Sequence, residues 1–340
     1  MIMSQRKSLL IVCLILIAVV GVVINVKLLQ VWNYNTEGHD IYYSWVEGKR
    51  ILSGENPYAR VLSGNMRENQ KYATYFPLFY WLSALTQLLG FQDYSDWISL
   101  WRPIFLMVNI GIAGLFFYHL YNHNLFIFGW FAALFWLLNR WTLYVSIDGN
   151  LDFLAIFFLI LSLMLLPKHN KSTAFLMFSL SLAIKQIAIF LLPLYLIWAW
   201  QSSEDNPVKD TFIALLLILV IPGITSLPFI LWNAEGFFKS ILFSATRNPD
   251  GHVNAPSLDG LITLSNPDFI GIKAKLPMVL VMSLVFLSAI KRQIGIYTSA
   301  LLTMSVFLEF NSVIFNQYFC WVVPLLPLAS CEILPKKYAK

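Results

Sequence analysis

Long apolar runs recur along almost the whole chain and constrain its fold more than any other feature of the sequence. A helix that crosses a bilayer needs about 20 such residues, because the hydrocarbon core is ~30 Å thick. The runs predict an all-α polytopic membrane protein that forms one domain over residues 1–340. The candidate helices cover approximately residues 8–31, 100–121, 125–140, 151–167, 211–232, 273–290, 294–311 and 313–330.

The charge content fits a membrane protein and excludes a nucleic-acid-binding one. Apolar residues make up 58% of the chain and charged residues 12%, and a soluble domain would carry about twice that charge. The net charge of +5 comes from basic residues at the ends of apolar runs, where they orient helices in the bilayer. Arg6 and Lys7 precede a run longer than that of a signal peptide, so we expect a retained anchor.

Two segments decide how the chain is threaded through the membrane. Residues 77–90 are too few for a crossing and carry a polar stripe, which is typical of an interfacial helix. Residues 172–200 are too long for one crossing and contain Lys185 near their middle, so we expect two short helices that meet there. With these assignments most basic residues at run ends face the cytoplasm, which predicts ten crossings with both termini cytoplasmic.

This threading brings most of the other polar residues to the outer face of the membrane. We expect a multi-pass protein of a bacterial plasma membrane whose functional site lies on that face. The outer segments are the first loop at 32–99 with its interfacial helix 77–90, the turn at 139–150, the turn at Lys185, a second large loop at 233–272 and the turn at 311–317.

Asp40 is the leading candidate for a catalytic residue. It follows the first crossing by only a few residues, and a partly desolvated carboxylate at the membrane surface is a good proton acceptor. His39 could tune this carboxylate or hold an acceptor. The alternative is that Asp40 only caps the helix that begins near Ile41. The nearby acidic residues Glu47 and Glu55 are expected to be solvated loop charges.

The first loop also contains a turn, Gly54-Glu55-Asn56-Pro57-Tyr58, in which glycine permits a positive φ and proline fixes the next residue. Tyr75 then leads the chain back to the interfacial helix. Taken alone, Asn56, Tyr58 and Tyr75 are best interpreted as parts of an ordinary interfacial turn with an aromatic belt.

Three polar residues open the fourth crossing: Asp148, Asn150 and Asp152. Ionisable groups at the head of a membrane helix are expensive to bury and are functional by default. Asp148 could instead be the N-cap of that helix, whereas Asp152 lies a turn deeper. Lys185, within SLAIKQIAIF, costs at least ~2.5–3.5 kcal/mol to insert. It therefore needs an acidic partner or a lipid phosphate, unless it snorkels to the surface.

Arg247 and His252 lie in the second outer loop, within RNPDGHVNAPSLDG, and suit a phosphate leaving group. A metal site built from His39, His252 and carboxylates has no supporting ligand spacing, so no metal and no cofactor are assigned, although a divalent metal is not excluded. The cysteines lie in or beside apolar runs without metal-ligand spacing and are expected to be small buried hydrophobes.

Four stretches, taken in order, resemble the GT-C membrane glycosyltransferases, most closely glycosyltransferase family 87. In that family an Asp after the first helix precedes a Gly-x-Asn-Pro-Tyr turn. Phe76 stands where the family often has proline, and no Asp-x-Asp motif is present. The stretches are DIYYSWVEGKRILSGENPY with YFPLFYWLSAL, DGNLDFLAIFFLILSLMLL, SLAIKQIAIFLLPLYL and FNQYFCWVVPLLPLAS.

The resemblance implies an inverting transfer of a hexose, mannose above all, from a polyprenyl-phosphate-sugar to a lipid-linked or cell-surface glycan, with membrane lipids around the protein. Asp40 would be the base. The donor phosphate would contact Lys185, Arg247 and His252. Sugar or acceptor hydroxyls would contact His39, Asn56, Tyr58, Tyr75, Asp148, Asn150, Asp152 and Gln317.

The alternatives to an enzyme are a transporter or flippase for lipid-linked saccharides and a non-catalytic scaffold. Transporters place charges at the bilayer midplane between repeated halves of the chain. The sequence has no visible repeat, and its polar residues gather on one face. This distribution favours the enzyme.

Overall fold

A computed structural model describes residues 2–31, 36–64, 72–167, 171–246, 257–266, 268, 271–311 and 314–334. These residues form helices and no strand, which confirms the all-α class predicted from the apolar runs. The helices are α1 (Ile2–Val31), α2 (Asp40–Leu52), α3 (Leu78–Leu88), α4 (Tyr94–Asn122), α5 (Phe126–Leu138), α6 (Arg140–Asp148), α7 (Asp152–Leu165), α8 (Lys171–Ile184), α9 (Leu192–Gln201), α10 (Pro207–Thr246), α11 (Leu258–Ser265), α12 (Leu276–Ile290), α13 (Ile296–Glu309), α14 (Asn316–Phe319) and α15 (Leu325–Ile333). Short 3₁₀ helices cover Ala59–Leu62, Gln186–Leu191 and Gly271–Lys275.

Several of these helices are suited to cross a membrane. Within the described ranges four are long and apolar enough to do so, namely those in α1, α4, α10 and the 3₁₀-α12 segment. A fifth span results if the bent α5–α6 pair is counted as one. Shorter apolar helices, including α7, α8 and α13, pack among them. The chain is therefore an integral membrane protein, and the count of ten crossings stays a prediction.

The predicted break near Lys185 is present. Helix α8 ends at Ile184, Lys185 has the extended angles φ −149° and ψ 121°, and the 3₁₀ helix Gln186–Leu191 leads into α9. The continuous helix predicted for 313–330 is wrong, because the one-turn helix α14 and a turn precede α15. Pro324 immediately before α15 explains this start, since proline is readily accommodated at a helix N-terminus.

Most of the predicted outer segment 139–150 forms helix α6, bent by 48° from α5, and its position on the outer face stays a prediction. The Asn139 side chain caps α6 by accepting a 2.9 Å hydrogen bond from the Thr142 amide. Gly149 ends α6 in the left-handed region at φ 63°, where glycine is least strained. The polar residues of this segment are thereby held between two helices.

Helix α10 extends beyond the predicted boundary at 232. Its backbone is non-helical at Asn233, with φ −158° and ψ 90°, and the helix then continues to Thr246. The first part of the predicted second outer loop, from Asn233 to Thr246, is therefore helical. Arg247 and His252 lie outside the described residues.

The polar stripe of α3 faces other helices of the protein. Gln87 donates a 3.0 Å hydrogen bond to the Trp45 carbonyl of α2, and Ser83 is fully buried. On the adjoining side, Phe79 packs edge-on against Trp101 of α4 at 4.8 Å between ring centroids. The stripe thus fixes α3 against the start of the chain's first outer loop, and its position in the membrane interface stays a prediction.

Candidate active site

Asp40 is the first residue of α2, and its carboxylate contacts two distant parts of the chain. The residue at the N-cap is His39, and no side-chain capping bond is formed there. The carboxylate oxygen Oδ2 accepts hydrogen bonds from the Tyr75 hydroxyl at 3.2 Å and from Gln317 Nε2 at 2.9 Å. Asp40 is therefore more than a helix cap, because two side chains from outside its helix orient its carboxylate.

Lys185 and Asp152 form an ion pair inside the protein. The ammonium lies 2.7 Å from Asp152 Oδ2, and the two side chains are only 1% and 0% exposed. The indole Nε1 of Trp321, also fully buried, donates a 2.6 Å hydrogen bond to the other oxygen, Oδ1. Snorkelling of Lys185 to the surface is thus excluded, and its predicted acidic partner is Asp152.

These two carboxylate clusters are connected on both sides. The Lys185 ammonium lies 4.7 Å from the ring centroid of Tyr75, which also bonds Asp40. Gln317 and Trp321 are four residues apart, about one helical turn, and each bonds one of the two carboxylates. The result is a closed arrangement, called the polar ring below. Its members are Asp40, Tyr75, Lys185, Asp152, Trp321 and Gln317.

The backbone that carries Tyr75 is held by side chains rather than by regular structure. Three consecutive carbonyl groups each accept a hydrogen bond from a different element, so the segment's polar groups are satisfied without a helix or strand. Burial raises the pKa of the Tyr75 phenol well above its usual range, so it remains a proton donor to Asp40. In the three carbonyl hydrogen bonds, the Ser240 side chain donates to Ala73 at 2.6 Å, Gln186 donates to Thr74, and the Tyr58 hydroxyl donates to the Tyr75 carbonyl at 2.7 Å.

Asn56 and Tyr58 support this segment from the predicted turn. Gly54 has φ 73°, as expected for a turn glycine. Asn56 Oδ1 accepts a 3.0 Å hydrogen bond from the Tyr58 amide, and the Tyr58 ring is fully buried against Phe237 at 4.8 Å. Both residues therefore contact protein groups behind Tyr75 and are not members of the polar ring.

A second pair adjoins Asp40. His39 Nδ1 lies 2.8 Å from Asp148 Oδ1, and Asp148 is 5% exposed. Asp148 is the last residue of α6, and α7 has Leu151 at its N-cap, so Asp148 is not the N-cap of α7. Two site residues therefore flank Gly149. Asp148, before it, contacts His39 of the first outer loop, and Asp152, after it, is a member of the polar ring.

Asn150 lies between these two aspartates and is fully buried. Among the described residues, neither its Oδ1 nor its Nδ2 has a hydrogen-bond partner. A buried amide without partners costs free energy comparable to that of lost hydrogen bonds. Such a group is unusual in a folded protein, and its hydrogen-bonding atoms are available to a bound water or polar ligand.

Glu47, expected to be a solvated charge, is buried at 1% exposure. It lies seven residues after Asp40, on the same face of α2, and faces two guanidinium groups, Arg60 at 3.1 Å and Arg50 at 3.4 Å. Burial raises the pKa of Glu47 from its ordinary value of 4.5 to about 7, against the opposing attraction of the two arginines. Glu55 does lie at the surface, at 59% exposure, and pairs with Arg50.

Sequence reasoning missed Trp321 and Glu47, although helical spacing could have identified both. Glu47 follows Asp40 by seven residues on the same face of α2, and Trp321 follows Gln317 by four residues within the helix predicted for 313–330, so each shares a predicted helix face with a residue that was identified. Over the described residues no three His, Cys, Asp or Glu side chains are grouped as a metal site. Cys13 and Cys320 are buried, as expected.

Residues 260–339 match the model of the family described as Mannosyltransferase (PIG-M). This segment is less than a quarter of the chain and includes Gln317 and Trp321 but not Asp40. The match supports mannosyltransferase activity and a lipid-linked sugar substrate in a membrane. The assignment to family 87 stays a prediction. No solved structure gives a significant match to the chain.

Proposed function

We propose that the chain is an inverting GT-C-type mannosyltransferase that moves mannose from a polyprenyl-phosphate donor to a hydroxyl of a lipid-linked or cell-surface glycan. The observation that carries this proposal is the Asp40 carboxylate, oriented by Tyr75 and Gln317 beside a pair of polar residues, His39 and Asp148. The family match over residues 260–339 supports the same activity.

In the proposed reaction Asp40 takes the proton of the acceptor hydroxyl while the hydroxyl oxygen attacks the anomeric carbon of mannose. The bond between that carbon and the phosphate oxygen breaks, and its electron pair leaves with the polyprenyl phosphate. The configuration at the anomeric carbon inverts, because attack and departure occur on opposite sides. Tyr75 and Gln317 keep the base in one orientation throughout.

The sugar is proposed to lie next to Asp40, on the side of His39, Asp148 and Asn150. Mannose hydroxyls both donate and accept hydrogen bonds, so they can satisfy the Asn150 amide that has no protein partner. Arg247 and His252 of the second outer loop are proposed to neutralise the phosphate leaving group. Asn56 and Tyr58 are proposed to act indirectly, by supporting Tyr75.

We further propose that the site faces the outside of a bacterial plasma membrane, with both termini cytoplasmic. The acidic and amide residues of the site come from the predicted outer segments: the first loop, the α6–α7 junction, the break at Lys185 and the residues around Gln317. A flippase would instead distribute its charges along a passage. The linkage of Asp40, Lys185 and Asp148 through Tyr75 and His39 fits a single site better.

The proposal is tested with purified protein and three donors: polyprenyl-phosphate-mannose, -glucose and -arabinose. We expect turnover of the mannose donor, and a fall in turnover of roughly 10²–10⁴-fold for Asp40→Asn, the size of effect of a general base. Glu55→Gln makes the same chemical change at an exposed site of the same loop and is expected to retain activity.

Full activity of Asp40→Asn at normal expression would exclude Asp40 as the base. Movement of intact donor across vesicles without transfer would favour the flippase.

A further inference from the structure

We propose that the Lys185–Asp152 ion pair, together with Trp321, is a positioning element for Asp40 and not a ligand of the donor phosphate. This inference rests on the proposed function of Asp40 as the base. It assigns roles to three buried residues that do not themselves touch the reacting atoms. The first line of support is the polar ring, in which Tyr75 and Gln317, which both donate hydrogen bonds to Asp40, are each connected to this pair.

The first connection runs through Tyr75. Its hydroxyl donates to Asp40, and its ring lies 4.7 Å from the Lys185 ammonium, within the range of a cation–π contact. The neighbouring Gln186 bonds the Thr74 carbonyl, so the break between α8 and α9 contacts this segment twice. Displacement of Lys185 would therefore change the position of the Tyr75 hydroxyl.

The second connection runs through the turn that holds both Gln317 and Trp321. Trp321 donates to Asp152 at 2.6 Å, and Gln317, four residues earlier, donates to Asp40 at 2.9 Å. The indole is fully buried, and its N–H group is used in this bond. It therefore holds the turn in a fixed position relative to the first residue of α7. The distance from Gln317 to Asp40 thus depends on Asp152.

Charge and burial argue against a phosphate ligand at Lys185. The ammonium already has a carboxylate at 2.7 Å, both side chains are at most 1% exposed, and the pair is neutral overall. A phosphate that approached it would bring a second negative charge towards Asp152 in a region of low dielectric, where like charges repel strongly. A neutral, enclosed pair is suited to fixing geometry.

The test separates the two roles by kinetics. Removal of one charge leaves the other buried and unpaired and can prevent folding, so the central variant is the double one, Lys185→Met with Asp152→Leu. Trp321→Phe is the milder second variant. A positioning role predicts that kcat falls on the order of 10- to 100-fold, as for small misplacements of catalytic groups, while the KM for the donor changes less than about threefold. A phosphate role predicts that donor binding is lost in the double variant and kept in Trp321→Phe.

A matched control distinguishes positioning from a general loss of stability. Tyr195 and Ser162 form a fully buried 2.8 Å hydrogen bond, ten residues or about 15 Å further along α7 from Asp152. Tyr195→Phe is expected to lower the thermal midpoint while kcat stays within about twofold of wild type. Lys185→Arg, which keeps the charge, is expected to retain more kcat than the double variant. Equal kcat losses in Tyr195→Phe and Trp321→Phe would overturn the positioning role.

A structure of the double variant provides a readout that does not need activity. We expect the Tyr75–Asp40 or the Gln317–Asp40 hydrogen bond to be lost while the helices remain in place. An unchanged Asp40 environment would overturn the inference even if the enzyme is confirmed. If the wild-type protein turned over no donor, the proposed function would fail, and this structure would still decide whether the pair positions Asp40.

Discussion

Gln317 donates a 2.9 Å hydrogen bond to Asp40 across 277 residues of sequence. The contact joins the C-terminal segment that matches the mannosyltransferase family to the first outer loop, which lies outside that match. The segment 260–339 therefore lacks the candidate base, and without that segment the base loses the hydrogen bond from Gln317. Both parts of the chain are needed for the site as proposed.

Gln317→Leu removes this donor and keeps a side chain of similar size. We expect kcat to fall about 10- to 100-fold, because Asp40 then loses one of the side chains that orient its carboxylate, with a much smaller change in donor KM. Gln201→Leu provides a matched control, since Gln201 also bonds backbone carbonyls between helices but lies outside the candidate site. Steady-state kinetics of both variants decide the matter, and equal activities would exclude a role for Gln317 in catalysis.

The sequence was sufficient to predict the helical membrane fold and the break at Lys185, and it identified Asp40, Asp152 and Gln317, which the structure brings into the polar ring. These predictions depend on local signals, namely apolar runs and charges where charges are costly. The partners of these residues could not be predicted, because they lie on other elements, 33 to 277 residues away in the sequence. The burial of Glu47 was missed because it depends on Arg60 and on the packing of α3, which local signals do not show.

Asn150→Leu should separate stability from function. The wild-type amide is buried without a partner, so leucine removes an unsatisfied polar group while filling a similar volume. We expect the free energy of unfolding of the variant to exceed that of wild type by about 1–3 kcal/mol, so that it unfolds at a higher temperature. Donor turnover should nevertheless decrease, because the proposed sugar contact is lost. Thermal unfolding in detergent and donor kinetics test the two effects separately. A less stable variant with normal kinetics would show that Asn150 has a structural role.

Gly48→Ala should loosen the contact between α2 and α3. A Cβ at residue 48 would lie 2.5 Å from Ser83 Oγ and 2.8 Å from Gln87 Nε2, closer than real contacts allow. Helix propensity alone would make alanine more stable by about 1 kcal/mol, so the presence of glycine reflects this close approach. Gly223→Ala, in α10 with no atom within 4 Å of its Cβ, is the matched control. We expect Gly48→Ala to lower the thermal midpoint and Gly223→Ala to leave it unchanged or raise it. The reverse order would contradict the packing of α2 on α3.

Glu47 should give the protein a characteristic dependence of stability on pH. Its pKa of about 7 in the folded state exceeds the ordinary value of 4.5, so between these values the folded protein holds a proton that the unfolded chain has released. The free energy of unfolding contributed by this group therefore falls as pH rises from about 4.5 to about 7, and it is level above that. The loss is on the order of 3 kcal/mol. The groups that face Glu47 include Arg50 and Arg60, whose attraction is smaller than the effect of burial.

Glu47→Gln removes the titrating proton and keeps the shape of the side chain. We therefore expect the stability of the variant relative to wild type to increase between pH 5 and pH 8, measured by thermal unfolding in detergent at fixed ionic strength. Other carboxylates titrate near the lower end of this range, but they are common to both proteins and cancel in the difference. Glu55→Gln, an exposed partner of the same Arg50, should show no such slope. A relative stability that stayed level between pH 5 and pH 8 would mean that pairing with the two arginines outweighs burial, because a Glu47 side chain that is ionised in both the folded and the unfolded protein adds no pH dependence there.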